Sequence, residues 1–169
     1  MLPAQAKILD LGCGSGKPIA QYLLHHAHTL VGVDCSDVML DMAQKNFPRA
    51  DFPQVNWIQA DMRQLDLNTS FDGIVAWDSF FHLTTDDQKA MFQRFSMHSK
   101  KGTALLFTSG PEAGEAIGDL FGDALYHASL SPEEYRDLFQ YYAFEEILMI
   151  AEDQTCTGHT VWLVRKIRD

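Results

Sequence analysis

Short apolar runs in this chain alternate with segments of helical period, and that alternation predicts a parallel sheet covered by helices on both faces. Ile8, Leu9 and Leu11 form a first buried strand. Lys17–Ala27 reads as a helix with Pro18 near its first turn and Ile19, Leu23 and Ala27 along one face. Thr29–Asp34 is a second strand, and Ser36 caps a helix carrying Met39, Met42 and Ala43 at helical spacing. Gln54–Gln59 and the nearly all-apolar Phe71–Trp77 are the third and fourth strands, the latter central. Thr85 to Gln88 reads as a capping box opening a helix that buries Met91, Phe92 and Phe95. Thr103–Thr108 is the fifth strand. Ser131-Pro132-Glu133-Glu134 starts a helix whose Tyr135, Leu138, Phe139 and Tyr142 form a buried stripe. Phe144–Ala151 and Thr160–Arg165 complete the sheet, joined by a connection so short that they must run antiparallel.

Between the fifth strand and Ser131, glycines at 110, 114, 118 and 122 discourage a helix. The expectation there is a loop, Gly110–Gly122, serving as a mobile cover over a substrate. Neither an internal repeat nor a linker interrupts the pattern, so residues 1–169 read as one domain.

The first strand runs into Gly12, Gly14 and Gly16, a turn at which backbone can approach a ligand that a Cβ would exclude. The dinucleotide fingerprint has another spacing, G-x-G-x-x-G, and its third glycine falls here on Lys17. That spacing and the short chain disfavour a nucleotide-binding oxidoreductase. The second strand ends on Asp34, eighteen residues after Gly16, the reach at which a carboxylate can accept both hydroxyls of a ribose held over the first turn.

Ile-Leu-Asp-Leu-Gly-Cys-Gly-Ser-Gly (8–16), Val-Gly-Val-Asp (31–34), Ala-Asp-Met (60–62) and Phe-Asp-Gly-Ile-Val-Ala-Trp-Asp-Ser-Phe-Phe-His-Leu (71–83) occur in this order. Together they resemble the successive motifs of class I S-adenosylmethionine-dependent methyltransferases, and Gly-His-Thr-Val-Trp-Leu-Val-Arg-Lys (158–166) is similar to the last strand of small-molecule members. The resemblance implies a doubly wound Rossmann-like sheet in the order 3-2-1-4-5-7-6 with the seventh strand antiparallel. It implies transfer of the methyl of S-adenosylmethionine to a small-molecule oxygen, nitrogen or carbon nucleophile, with S-adenosylhomocysteine as product.

The same resemblance assigns the cofactor site. The backbone of Gly12, Cys13, Gly14 and Gly16 would lie against the methionine end, with Asp10 near its ammonium. Asp34 would take the ribose, and Cys35 and Ser36 would line the adenine side, Ser36 being equally well explained as a helix cap. Ala60, Asp61 and Met62 would border the adenine, Asp61 accepting from its amino group and Met62 donating a backbone N–H. Trp77 and Asp78 stand where donor and acceptor should meet; Trp77 either faces the sulfonium, a favourable cation–π arrangement, or is core. Ser79, Phe81, His82, Glu115 and His127 are candidate acceptor contacts. Of these, His82 either takes a proton from the acceptor or is structural. Leu-Tyr-His-Ala-Ser-Leu (125–130) is similar to a stretch of small-molecule relatives. Enzymes acting on exocyclic base amines or glutamine amides carry Asn/Asp-Pro-Pro-Tyr where this chain has Trp-Asp-Ser-Phe, which disfavours those substrates.

Composition narrows the setting. The net charge of −10 argues against a nucleic-acid partner, and no apolar run approaches the ~18 residues of a membrane span. Three cysteines without metal or C-x-x-C spacing point to a reducing cytoplasm. His25, His26 and His28 do not converge on one metal ion, so no metal is expected. Only six residues precede Lys7, whereas the family usually places one or two helices there to cover the substrate. The expectation is therefore an open acceptor side and slow turnover unless a neighbouring subunit or upstream extension covers it. The alternative reading is a catalytically weak cofactor-binding module. Oligomeric state is not legible.

Overall fold

A computed structural model describes residues 2–26, 28–120 and 122–169. In chain order the elements are β1 (Lys7–Leu11), α1 (Ile19–His25), β2 (Thr29–Asp34), α2 (Asp37–Asn46), β3 (Val55–Gln59), β4 (Phe71–Ala76), α3 (Thr85–Met97), β5 (Ser99–Ser109), β6 (Gly114–Leu120), β7 (Asp123–Ser129), α4 (Pro132–Tyr141), β8 (Phe144–Asp153) and β9 (His159–Lys166). Seven strands form one sheet in the order β3-β2-β1-β4-β5-β9-β8. This is the expected order with two further strands counted in the chain. The first five pair in parallel, and β9 runs antiparallel to both β5 and β8. Reversal of β9 places its first residues beside the last of β5, with Ser109 opposite Thr160.

One sheet face packs against α3 and α4 through an aromatic cluster. Phe107 stacks on Trp162 at 6.0 Å, and Phe80 meets Phe107 and Phe92 edge-on at 5.3 and 6.2 Å. Phe80 is completely buried, which contributes about 2 kcal/mol and anchors the segment that leaves β4. The opposite face buries Ile8, Ala20, Leu24, Leu30, Phe47 and Val75.

Local chemistry corrects several expectations. In α1 the buried residues are Ala20, Leu23 and Leu24, while Ile19 is half-buried and Ala27 lies outside the described residues. In α2, Ser36 does cap the helix by accepting the Met39 N–H, yet Met39 and Met42 are exposed and Leu40 and Ala43 are buried. The cap of α3 is Thr84 rather than Thr85, because its hydroxyl accepts the Asp87 N–H. Gln88, expected to close the box, is instead fully buried: its amide donates to the carbonyls of Leu83 and Ala128, and its oxygen accepts from the Tyr135 hydroxyl. Ser131 and Glu134 form the reciprocal capping box of α4.

The largest correction concerns Gly110–Gly122. Much of it is the strand β6, paired antiparallel with β7 from Gly114↔Ser129 to Leu120↔Asp123. Glycine disfavours a helix but is tolerated in a paired strand where it makes room, and Gly118 does so: a Cβ there would fall 2.9 Å from His127 Cε1.

Candidate active site

The turn after β1 is tied to the end of β2 by backbone: the Gly12 and Cys13 N–H groups both donate to the Val33 carbonyl. Gly12 has φ +71, and a Cβ on it would come within 2.2 Å of the Ser79 Cβ. Gly14 differs: φ is +52, but no described residue lies within 4 Å of where its Cβ would be, so its outer side is open. A Cβ on Gly16 would strike the Phe47 ring at 2.9 Å, so that glycine serves packing.

Asp34 ends β2 half-buried, its carboxylate accepting the Gly14 N–H at 2.8 Å and the Ser36 N–H at 2.9 Å. A carboxylate has about four acceptor sites, so two remain for a ligand at the mouth of the turn. Asp10, next to the end of β1, is 2% exposed, and its Oδ2 has no hydrogen-bond partner among the described residues. Burial, and secondarily the charge of Asp34, pushes the Asp10 carboxyl up to about 7. An orphaned buried acceptor within electrostatic reach of Asp34, which holds the open turn at Gly14, fits a ligand carrying a cationic donor, the chemistry of an amino-acid ammonium. The residues present fit S-adenosylmethionine on these grounds. Cys13 is buried, and burial holds its thiol protonated, with the charges of Asp10 and Asp34 adding to the effect.

The other expected residues divide between this turn and a second place. Ala60 continues β3 by donating its N–H to the Asp34 carbonyl, and the Met62 side chain reaches to 3.3 Å from where a Gly12 Cβ would sit. Asp61 is turned to Arg63, which pairs with it at 2.6 Å and lowers its pKa, and Arg63 also reaches Asp87. Cys35 is exposed. Trp77 is half-buried against the core on the β1 and α1 side.

Ser79, expected to meet the acceptor, is instead buried, and its hydroxyl donates to the Leu11 carbonyl at 2.7 Å. It locks the turn after β4 onto the turn after β1. His82 is likewise committed: Nδ1 donates to the Tyr126 carbonyl at 2.9 Å, which fastens the β6–β7 hairpin to the segment following β4. Asp78 adopts φ +48, a left-handed conformation that aspartate tolerates better than most residues. Its N–H donates to the Thr108 hydroxyl, which in turn donates to Asp78 Oδ1.

A cavity of about 360 Å³ lies between the hairpin, the end of β5 and the start of β9. Of the candidate acceptor residues, Phe81, Glu115 and His127 line it, while Ser79 and His82 do not. His127 packs on His82 at 4.8 Å; burial, followed by the nearby His82 and His159, lowers its pKa. His159 also lines the cavity, stacks on Phe81 at 5.2 Å and sits with Nε2 3.5 Å from Asp78 Oδ1. Nothing in its local sequence marks His159. Only the reversed course of β9, which carries it to the end of β5, could have pointed to it.

Residues 8–102 match the family described as methyltransferase domain, and they span more than half of the chain. The chain belongs to that family. Among its relatives is the O-methyltransferase rstn1 of Aspergillus nomiae, 30% identical over 139 residues that cover 79% of this chain and 55% of the relative. An O-methyltransferase of Pyrenophora dematioidea is 32% identical over 100 residues, covering 58% of this chain and 37% of its own. This methyltransferase-family chain thus spans about half the length of the curated relatives it matches. Its fold is shared with a solved S-adenosylmethionine-dependent methyltransferase of Methanosarcina mazei, at a TM-score of 0.83 and 17% identity over 99% of this chain and 95% of that one.

Proposed function

We propose that this chain binds S-adenosylmethionine across the ends of β1 and β2 and transfers its methyl group to a small molecule held in the adjoining cavity. The observation that carries the reading is the pairing of an orphaned, buried Asp10 carboxyl with the open glycine turn that Asp34 holds in place. Asp10 would receive the ammonium, Asp34 the ribose hydroxyls, and the outward face of Gly14 the methionine backbone. Ala60 and Met62 would border the adenine. Asp61 already accepts three N–H groups of Arg63, so about one acceptor position is left for the adenine amino group. The cofactor brings a methyl already activated on a sulfonium, so the protein's share is to hold the acceptor close and in line and to keep water out.

Four relatives bear O-methyltransferase in their names, which supports an oxygen nucleophile. Three free cysteines suit a reducing cytoplasm. A second reading, a cofactor-binding part of a larger catalyst, is favoured by the exposed Leu148 and Ile150 on β8, an apolar face of the kind a further segment or partner covers. Incubating the protein with isotopically methyl-labelled S-adenosylmethionine and a panel of phenols, amines and carboxylic acids tests the function. Label in one acceptor class supports transfer; label in none, with S-adenosylhomocysteine bound, favours the second reading.

A further inference from the structure

The cavity beneath the β6–β7 hairpin is built asymmetrically, and its asymmetry points to one residue. Two imidazoles reach it. His127 is half-buried, touches His82, and has no carboxylate at ion-pair distance among the described residues. His159 comes from the start of β9 and has Asp78 Oδ1 3.5 Å from its Nε2. Asp78 is itself held from two directions by Thr108, whose hydroxyl takes its N–H and donates to its carboxylate. Thr108 lies in β5 directly opposite Val161, so the sheet register brings Asp78 and His159 together. A counter-ion is therefore already in place for the charge that His159 would acquire on taking a proton.

The walls select a ligand class. Phe81, His127 and His159 give the cavity aromatic side chains suited to a planar ring, and Glu112 and Glu115 add two acidic residues to its lining. An aromatic carboxylate would meet like charge there. A phenol stays neutral near pH 7 and must lose its proton to become a strong nucleophile. Resting on the methyl-transfer reading above, we infer that the cavity takes a phenolic acceptor, with His159 as the proton acceptor and Asp78 as its positioning residue. The phenol oxygen forms the new bond to the methyl carbon, the carbon–sulfur bond breaks with its electron pair left on sulfur, and the phenolic proton goes to the His159 imidazole. Among the described residues, the titratable neighbours of His159 are Asp78 after β4, His127 on β7 with His82 behind it, Glu112 and Glu115 in the same cavity lining, and Asp153 on β8, whose carboxylate is taken up by Thr155.

The probe is 4-nitrophenol, whose phenolate is coloured and which titrates near neutrality. Its bound absorbance is followed against pH with and without S-adenosylhomocysteine, in the wild-type protein and in His159→Gln, Asp78→Asn and His25→Gln. The inference expects about tenfold more bound phenolate than free dye shows at the same pH, lost in His159→Gln and reduced in Asp78→Asn. His25→Gln, at the end of α1 and outside the cavity lining, should retain it, and benzoate should bind at least tenfold more weakly than the dye. An equal phenolate fraction in wild type and His159→Gln overturns the role of His159. Absence of dye binding, or tighter binding of benzoate or aniline, overturns the phenol class. Failure of S-adenosylhomocysteine to bind, measured separately by calorimetry, counts against the methyl-transfer reading instead, and the dye titration on the protein alone still decides this inference.

Discussion

Ser79 occupies the space that a side chain on Gly12 would need: its hydroxyl holds the Leu11 carbonyl at 2.7 Å, and its Cβ would lie 2.2 Å from a Cβ added at Gly12. This contact clamps the turn after β4 onto the turn after β1, so the proposed cofactor and acceptor regions share one rigid seam. Gly12→Ala combines overpacking, about 1–3 kcal/mol, with a left-handed φ, about 1–2 kcal/mol. It should lower the urea midpoint markedly. Gly14→Ala carries only the conformational cost, about 1 kcal/mol, because its Cβ meets open space, yet it should weaken binding of S-adenosylhomocysteine by projecting into the ligand's path. Equal midpoints for the two variants would contradict the clamp.

Asp10 makes the stability of the protein depend on pH in the direction opposite to a salt-bridged carboxylate. Its folded pKa of about 7 stands above the ordinary 3.8, so its neutral form is accommodated at low pH and stability is lost as pH rises through that window. Asp10→Asn should therefore gain on the wild type between about pH 4 and pH 8, by a few kcal/mol at the upper end. Denaturant melts across that range check it; a constant difference would show that Asp10 does not titrate as described.

The same carboxyl predicts proton-linked binding. If it meets the ammonium of the cofactor, binding of S-adenosylhomocysteine below about pH 7 should release close to one proton and should tighten as pH rises to that point. Calorimetry in buffers of different ionisation heat measures the proton directly. No proton release and a flat affinity would place the ammonium elsewhere.

Gln88 joins three elements through one side chain, linking α3, the end of β7 and Tyr135 of α4. Gln88→Ala removes the amide that serves two carbonyls in a buried place and the oxygen that accepts from the Tyr135 hydroxyl, which keeps only its longer contacts to Ser129 and Leu130, and should destabilise by about 2–4 kcal/mol. Hydrogen exchange should show the β6–β7 hairpin amides losing protection first. Unchanged hairpin protection would show that Gln88 is not its tether.

The alternation of strands and helices, the antiparallel last pair and the glycine turn were legible because they depend on local patterns: a buried run ending in glycines, a cap before a helical stripe, a connection too short for a crossover. The order of the strands followed only from the resemblance to class I methyltransferases. Helix faces were less so. Met39 and Met42 follow the helical period but lie on the outer side of α2, where the sequence pattern has no means to rank them against Leu40. The β6–β7 hairpin was hidden by its glycines, which read as breakers until His127 is seen filling the space above Gly118. Gly32 carries a comparable secret: a Cβ there would fall 2.3 Å from Trp57, so the indole of β3 lies across β2 only because nothing projects from it. At the cavity, a histidine beside aromatic residues drew attention to His82, whereas His159, which faces Asp78, is 81 positions away from that aspartate and becomes its neighbour only through the antiparallel register of β9.

The central claim is that the turn after β1, held by Asp34, binds S-adenosylmethionine and its product. Calorimetric titration with S-adenosylhomocysteine and with NAD, on the wild-type protein and on Asp34→Ala, tests it most directly. The account predicts binding of S-adenosylhomocysteine, none of NAD, and a loss of about 2–3 kcal/mol in Asp34→Ala, since the substitution removes the acceptor for the ribose along with the anchor of Gly14. Binding of NAD without S-adenosylhomocysteine, or an affinity untouched by Asp34→Ala, would contradict it.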